Sequence, residues 1–179
     1  MTPISAILEE IAEWDPALRA CIRRFPRALN WTILEDGVEP RWVSNGGKIG
    51  FAGDSVHPLS PASFHAGAQA VEDGATVALC LALAGGTPDK IPLAFKVYER
   101  LRKDRTQHAG KLGRKQQRIL HTFVGRKRES TQLLDPTSVS ELGILRPLAF
   151  ELFDFDAEQY AVDHFAETVE ILRREAREE

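Results

Sequence analysis

The fold of this chain is decided by one stretch, Gly53-Asp54-Ser55-Val56-His57-Pro58-Leu59-Ser60-Pro61. Residues 48–52 before it are few and mostly apolar, which predicts a buried strand. Pro58 and Pro61 exclude a helix and predict a rigid extended loop. Residues 67–83 then predict a helix that ends at Gly85-Gly86. Its expected apolar face consists of Val71, Ala75, Ala78, Leu79, Ala82 and Leu83.

A carboxylate at a strand end beside a helix N-terminus predicts a site for a polar ligand. Ionised Asp54 can only accept hydrogen bonds, so it suits a hydroxyl group of the ligand. The helix N-terminus offers unpaired N–H groups and about half a positive charge. Ala66, Gly67 and Ala68 have small side chains, which would let a flat ligand touch the backbone.

The same residues carry a family resemblance. The pattern Gly53-Asp54-x-x-His57-Pro58-x-x-Pro61, followed by residues 67–74, resembles the second flavin-binding signature of FAD-dependent monooxygenases of the aromatic-hydroxylase type. The salicylate-hydroxylase-like fungal members are the most similar. Residues 31–36, 40–44, 92–102 and 155–161 also resemble this family, so the likeness covers nearly the whole chain.

The resemblance implies a cofactor and a set of binding residues. Asp54 would bind the ribitol of FAD, and the helix N-terminus near Gly67 would face the pyrimidine edge of the isoalloxazine. Such enzymes use NAD(P)H and O2 to hydroxylate or epoxidise a small organic or aromatic substrate, here in secondary metabolism. The resemblance identifies no catalytic residue in this chain. The implied cofactor-binding residues are Gly53, Asp54, Pro61, Ala66, Gly67 and Ala68.

Two departures from the family pattern stand out. His65-Ala66-Gly67 replaces the usual Gln-Gly-Ala, so a positive φ at Ala66 would strain the loop. The sequence also contains no Gly-x-Gly-x-x-Gly turn after a strand, since the nearest run, residues 46–50, precedes one. The chain therefore resembles only the C-terminal portion of a monooxygenase, without the N-terminal Rossmann unit. A truncated gene, a gene-model fragment and a remnant with another role are all open, as is stand-alone enzyme activity.

The predicted fold class is α+β, mainly helical with a few short strands. Residues 1–128 would form the C-terminal part of the FAD-binding domain, and residues 129–179 a loop and a final helix packed on it. The expected helices run from Thr2-Pro3 to Glu13, from Asp15-Pro16 to before Pro26, over residues 92–120 as one helix or two, and onward from a cap at Asp156. A strand is expected over residues 29–34, with a meander through Trp42-Val43.

Other chemistry is possible at several positions. The basic stretch between Arg100 and Arg128 fits a nucleic-acid patch or a solvated helix face that pairs with the acidic C-terminus; the second is favoured because aromatic residues are sparse there. Asp54, His57 and His65 could mimic a metal site, but further ligand clusters are missing, so we expect no metal and a bracing role for His57. Glu72-Asp73 would cap, pair with arginine or bind a neighbouring loop in preference to acid–base work.

Composition and net charge limit which classes of function and partner are expected. The 179 residues carry a net charge of −3, which gives no general attraction to nucleic acid or membranes. Two cysteines suggest no disulfide framework, and no signal peptide or membrane span is apparent, so we expect a cytoplasmic protein. One expected partner is a small-molecule substrate. The other is a missing N-terminal half or a second copy of the chain, which would cover apolar surface that this portion leaves exposed. The alternative functions are a cofactor-free small-molecule binder, a non-redox biosynthetic protein, or a basic interaction module.

Overall fold

The structure, a computed structural model, describes residues 2–31, 41–124 and 152–178. The chain divides into two compact units, Met1–Leu34 and Glu35–Glu179. In the first unit, α1 spans Ile4–Glu10 and α2 spans Pro16–Ile22. Helix α2 starts at Asp15-Pro16 as predicted, and Asp15 caps it, because its carboxylate accepts a hydrogen bond from the N–H of Ala17 at 2.7 Å. Helix α1 is shorter than expected, and its cap, Pro3, makes no side-chain hydrogen bond.

The second unit is built on three helices: α3 (Ala66–Leu83), α4 (Ile91–Val124) and α5 (Ala157–Glu178). They pack on one another, and short 3-10 turns at Gly53–Ser55, Pro61–Ser63 and Pro88–Lys90 complete the unit. Helix α4 is continuous, and Asp156 caps α5 by accepting from the N–H of Gln159 at 2.8 Å. The buried apolar core comprises Trp42, Val43, Val56, Cys80, Ala94, Val97, Tyr98, Leu101, Ala161 and Val169.

The mainly helical prediction is confirmed, but the buried strand over residues 48–52 was wrong. These five residues are exposed, and only Gly50 forms a bridge, to Val43. The N–H of Phe51 donates to the carbonyl of Trp42 at 2.8 Å, and no longer ladder follows. The described residues form no neighbouring strand on either side, so they offer this short apolar run no sheet in which to be buried. Among the described residues, the β structure consists of isolated bridges.

The apolar face that the sequence gives α3 is mostly not the buried face. Val71 is 74% exposed, and Ala78, Ala82 and Leu83 are exposed as well. The buried residues of α3 are instead Gln69, Asp73, Thr76 and Cys80. Polar partners on neighbouring elements reverse the orientation that hydrophobic periodicity alone would favour.

Several predictions fall outside the described residues. They include the surface loop over residues 129–143, the boundary between residues 128 and 129, and most of the expected strand over residues 29–34.

Two glycines on α4 leave room for the loop before α3 to lie against this helix. A Cβ built on Gly113 would lie 2.5 Å from the Cβ of Ser63, and one on Gly110 would lie 3.3 Å from Leu59. The Pro61–Ser63 turn can therefore approach α4 only because these positions lack side chains.

We predict opposite effects for two Gly→Ala changes in helices. Gly113→Ala should lower the free energy of unfolding by about 1–3 kcal/mol, because the new methyl group overlaps Ser63. Gly74→Ala should raise it by about 0.5–1 kcal/mol, since nothing lies within 4 Å of that position and alanine is the better helix former. Urea denaturation of both variants measures the difference; equal effects would contradict this view of α4.

Candidate functional site

The turn at Gly53–Ser55 packs against α3. Gly53 has a φ of +61°, and a Cβ there would lie 3.2 Å from the Cβ of Ala70. Its carbonyl accepts hydrogen bonds from the N–H groups of Val56 and His57, both at 3.0 Å. Glycine is therefore required both by the left-handed backbone and by the close approach to α3.

Asp73 is the buried centre of this region. Its side chain is fully buried, and Oδ2 accepts from the N–H of Gly53 at 2.9 Å and contacts Nε2 of His57 at 2.5 Å. Its other oxygen, Oδ1, accepts from Nε of Arg102 at 2.8 Å. One carboxylate thus joins the turn before α3, α3 itself and α4. The bracing role predicted for His57 is confirmed.

Arg102 is also buried, and its hydrogen-bond partners among the described residues all belong to α3. Its Nη1 donates to Glu72 Oε2 at 2.6 Å, and its Nη2 donates to Gln69 Oε1 at 2.8 Å. Arg105 makes two hydrogen bonds to the Glu72 carboxylate, at 2.7 and 2.9 Å, and lies over the Phe155 ring at 3.7 Å. The prediction that Glu72-Asp73 pairs with arginine is confirmed.

These contacts change the pKa of both carboxyl groups. Burial by itself raises the pKa of Asp73, but the hydrogen bonds from His57, Arg102 and Gly53 outweigh it and hold the pKa below its usual value. Burial also opposes ionisation of Glu72, and the hydrogen bonds and charges of Arg105 and Arg102 again lower the pKa. Both carboxylates are therefore stabilised in the ionised form.

The arginines of the basic stretch differ in burial. Arg102 and Arg105 turn inward to the acidic residues of α3, whereas exposed Arg100 pairs with Glu175 of α5 at 3.3 Å. Pairing with the C-terminal helix therefore holds for Arg100, while the two inward arginines serve helix packing.

The predicted cofactor-binding residues lie around the start of α3. Gly53 is buried in the turn, while Asp54 and Pro61 are exposed. Asp54 makes no hydrogen bond or ion pair with any other residue that the structure describes. Ala66 is the first residue of α3, and Gly67 and Ala68 follow, exposed, in its first turn. The residue before the helix, His65, provides no side-chain cap.

Backbone strain falls on a residue that the sequence did not single out. Phe64 has a φ of +57°, whereas Ala66, where a positive φ would have strained the loop, is the first residue of α3. The Phe64 side chain is 73% exposed, next to the N-terminus of α3. No local pattern in the sequence distinguished Phe64, because the positive φ arises from the path of the loop between two packed elements.

The two histidines near this corner have structural partners. His57 contacts Asp73, and the buried ring of His65 packs against Phe153 with centroids 5.1 Å apart. Burial and the charge of Arg105 lower the pKa of His65. Within the described ranges, no group of three potential ligands could hold a metal ion.

A separate open groove of about 520 Å³ runs beside α3. Predicted cofactor-binding residues do not line it. Its lining consists of Val71, Glu72, Ala75, Phe153, Asp154, Phe155, Asp156, Ala157 and Glu158.

No single helix of the described part is both long and apolar enough to cross a membrane. Only α3 taken together with Pro88–Arg118, at a bend of 120°, has the required length and composition.

Comparison with known proteins identifies the class to which this geometry corresponds. The FAD-dependent monooxygenase mdpD of Emericella nidulans is 32% identical over 168 residues, which is 93% of this chain and 30% of that protein. AacuC of Aspergillus aculeatus, also an FAD-dependent monooxygenase, is 36% identical over 110 residues, or 59% of this chain and 21% of that protein. No family model matches the chain.

Solved structures agree with the sequence relatives. The structure of CtdE in complex with FAD and substrate 4 superposes with a TM-score of 0.75 at 26% identity, covering 96% of this chain and 40% of CtdE. FqzB superposes with a TM-score of 0.66 at 27% identity, covering 97% of this chain and 39% of FqzB. The chain is therefore similar to a portion of the FAD-dependent monooxygenases, as the motif predicted. It spans less than a third of the length of the two curated relatives named above.

The lowered pKa values predict a loss of stability in acid. A carboxyl group whose pKa is lower in the folded state contributes stability above its unfolded pKa and loses it as pH falls. The free energy of unfolding should therefore decrease as pH drops below about 4.5, the ordinary value for glutamate, because Glu72 and then Asp73 must be protonated.

Urea denaturation at a series of pH values measures this dependence. Glu72→Gln should make the slope shallower, whereas Glu158→Gln, at an exposed position outside the arginine network, should leave it unchanged. An equal slope in the wild type and Glu72→Gln would contradict the assignment.

Proposed function

We propose that the turn at Gly53–Ser55 and the N-terminus of α3 bind FAD, as part of a monooxygenase that uses NAD(P)H and O2. The observation that carries this proposal is the exposed Asp54 carboxylate, which has no partner among the described residues, on a turn packed against an uncapped helix. Relatives named as FAD-dependent monooxygenases and a neighbouring structure that contains FAD support it.

The residues present fit the polar parts of a flavin nucleotide. Asp54 can accept a hydrogen bond from a ribitol hydroxyl. The first N–H groups of α3 have no side-chain cap, and a Cβ on Gly67 would meet nothing within 4 Å, so a planar ring could approach the backbone there. Both the donors and the acceptor that this ligand requires are available at one corner.

Each element of the chain has a separate task in this proposal. Bound FAD would supply electron transfer from NAD(P)H and the activation of O2. Helix α3 has 18 residues, and its N-terminus carries the positive end of the helix dipole. This exposed end would stabilise negative charge on the pyrimidine edge of the reduced ring. Asp54 would orient the ribitol, and Gly53 would allow the turn to lie close to α3.

The wider activity is part of the same proposal. The substrate would be a small organic or aromatic molecule, hydroxylated or epoxidised in cytoplasmic secondary metabolism. The chain spans less than a third of mdpD, and in this proposal an N-terminal half or a second copy contributes the rest of the active site.

A second candidate is a cofactor-free binder of small molecules. One observation favours it: Phe64, at a φ of +57°, places an exposed aromatic side chain beside the α3 N-terminus, where a flat cofactor would need space.

Flavin titration separates the two candidates. The wild-type chain should quench FAD fluorescence, and Asp54→Ala should weaken FAD binding about 10-fold or more, since a hydrogen bond to a charged group is lost. Asp104→Ala, which removes another exposed carboxylate, on α4, is the matched control and should leave the Kd unchanged. Equal FAD affinity in Asp54→Ala and the wild type would reject the site, and wild-type binding of aromatic compounds without FAD would favour the second candidate.

A further inference from the structure

Asp54 has no contact of its own that fixes its position. Within the part of the chain that the structure describes, its carboxylate is exposed and without a hydrogen-bond partner. The direction in which it points must therefore be set by its neighbours in residues 53–57, called here the flavin turn. What holds the flavin turn determines where the acceptor lies.

Both ends of the flavin turn are attached to the same oxygen atom. Asp73 Oδ2 accepts from the N–H of Gly53 at 2.9 Å and contacts Nε2 of His57 at 2.5 Å. Asp73 is 0% exposed and His57 is 7% exposed, so water does not compete with these contacts. The turn is closed on itself by the Gly53 carbonyl, which accepts from the N–H of Val56 and of His57.

The His57 ring is oriented for this contact. Its Nδ1 is buried without a hydrogen-bond partner among the described residues, and its ring lies 5.3 Å from that of Trp42. A proton on Nδ1 would have no acceptor, whereas a proton on Nε2 meets a carboxylate. The ring therefore acts as a donor to Asp73.

Asp73 is held in turn from α4. Arg102 donates from Nε to Asp73 Oδ1 at 2.8 Å and is itself fixed by Gln69 and Glu72. The chain of contacts runs from α4 through a buried carboxylate to the backbone on either side of Asp54. Glu72 shares Arg102 but has no contact with the flavin turn among the described residues.

We propose that Asp73 is a positioning residue for flavin binding: it holds both ends of the flavin turn and so aims Asp54 at the ligand without touching the ligand itself. This inference rests on the proposed function for its link to FAD. Asparagine cannot replace Asp73, because it has one acceptor oxygen where all three partners are donors. Whichever way the amide is turned, its NH2 group would face a donor.

The test compares Asp73→Asn with Glu72→Gln in the full chain. Two quantities are measured: the hydrogen exchange rate of the Gly53 amide by NMR, and the Kd for FAD by fluorescence. Asp73→Asn should speed exchange at Gly53 about 10-fold and weaken FAD binding about 10-fold. Glu72→Gln should lower thermal stability, because Arg105 and Arg102 lose a charged acceptor. It should change neither quantity by more than about 2-fold, because Arg102 keeps Asp73 and Gln69 as partners.

Each result decides a separate point. Unchanged Gly53 exchange in Asp73→Asn would overturn the positioning role, and so would an equal loss of FAD affinity in Glu72→Gln. Failure of the wild type to bind FAD would overturn the proposed function and the link to flavin, while the exchange rates would still decide whether Asp73 holds the turn. If Asp73→Asn does not fold, His57→Phe, which removes one of the two anchors, should raise Gly53 exchange about 3-fold; no change would overturn the role.

Discussion

The structure of the second unit depends on a buried carboxylate whose charge has to be compensated. Moving an unpaired carboxylate out of water is strongly unfavourable, so Asp73 can be buried only with donors arranged around it. Gly53 and His57 supply them from the flavin turn, and Arg102 supplies one from α4. This single requirement fixes how closely the turn, α3 and α4 pack against one another.

The same requirement explains why the more apolar face of α3 is exposed and its polar face is buried. Burial of Val71, Ala78 and Ala82 would gain apolar area, but it would turn Asp73 away from Arg102 and leave a buried guanidinium without a partner. An uncompensated buried charge costs about 3–5 kcal/mol, more than burial of two alanines and a valine can offset. The polar face therefore turns inward, and Val71 is left 74% exposed.

The buried network and the exposed corner have distinct parts in the proposed site. Residues that would touch FAD, such as Asp54 and Gly67, make few contacts with the rest of the described chain, as a ligand site requires. Residues that hold them in place, chiefly Asp73 and Arg102, are fully enclosed. Gly110 and Gly113 add a third constraint, since they let the loop after the turn lie directly on α4. Rigid support behind an open corner suits binding of a large planar cofactor.

The sequence by itself determined the features that depend on local chemistry. Prolines and glycines marked the loop and the helix ends, and Asp15-Pro16 marked a helix start. Asp156 marked a helix cap, and the motif from Gly53 to Gly74 identified the flavin-monooxygenase relatives. Only the tertiary structure decided which face of α3 is buried, that residues 48–52 form no strand, and that Phe64 carries the positive φ. The reason is physical: caps and turns arise from neighbours in the chain, whereas the orientation of α3 depends on Arg102, 29 residues beyond Asp73 along the chain.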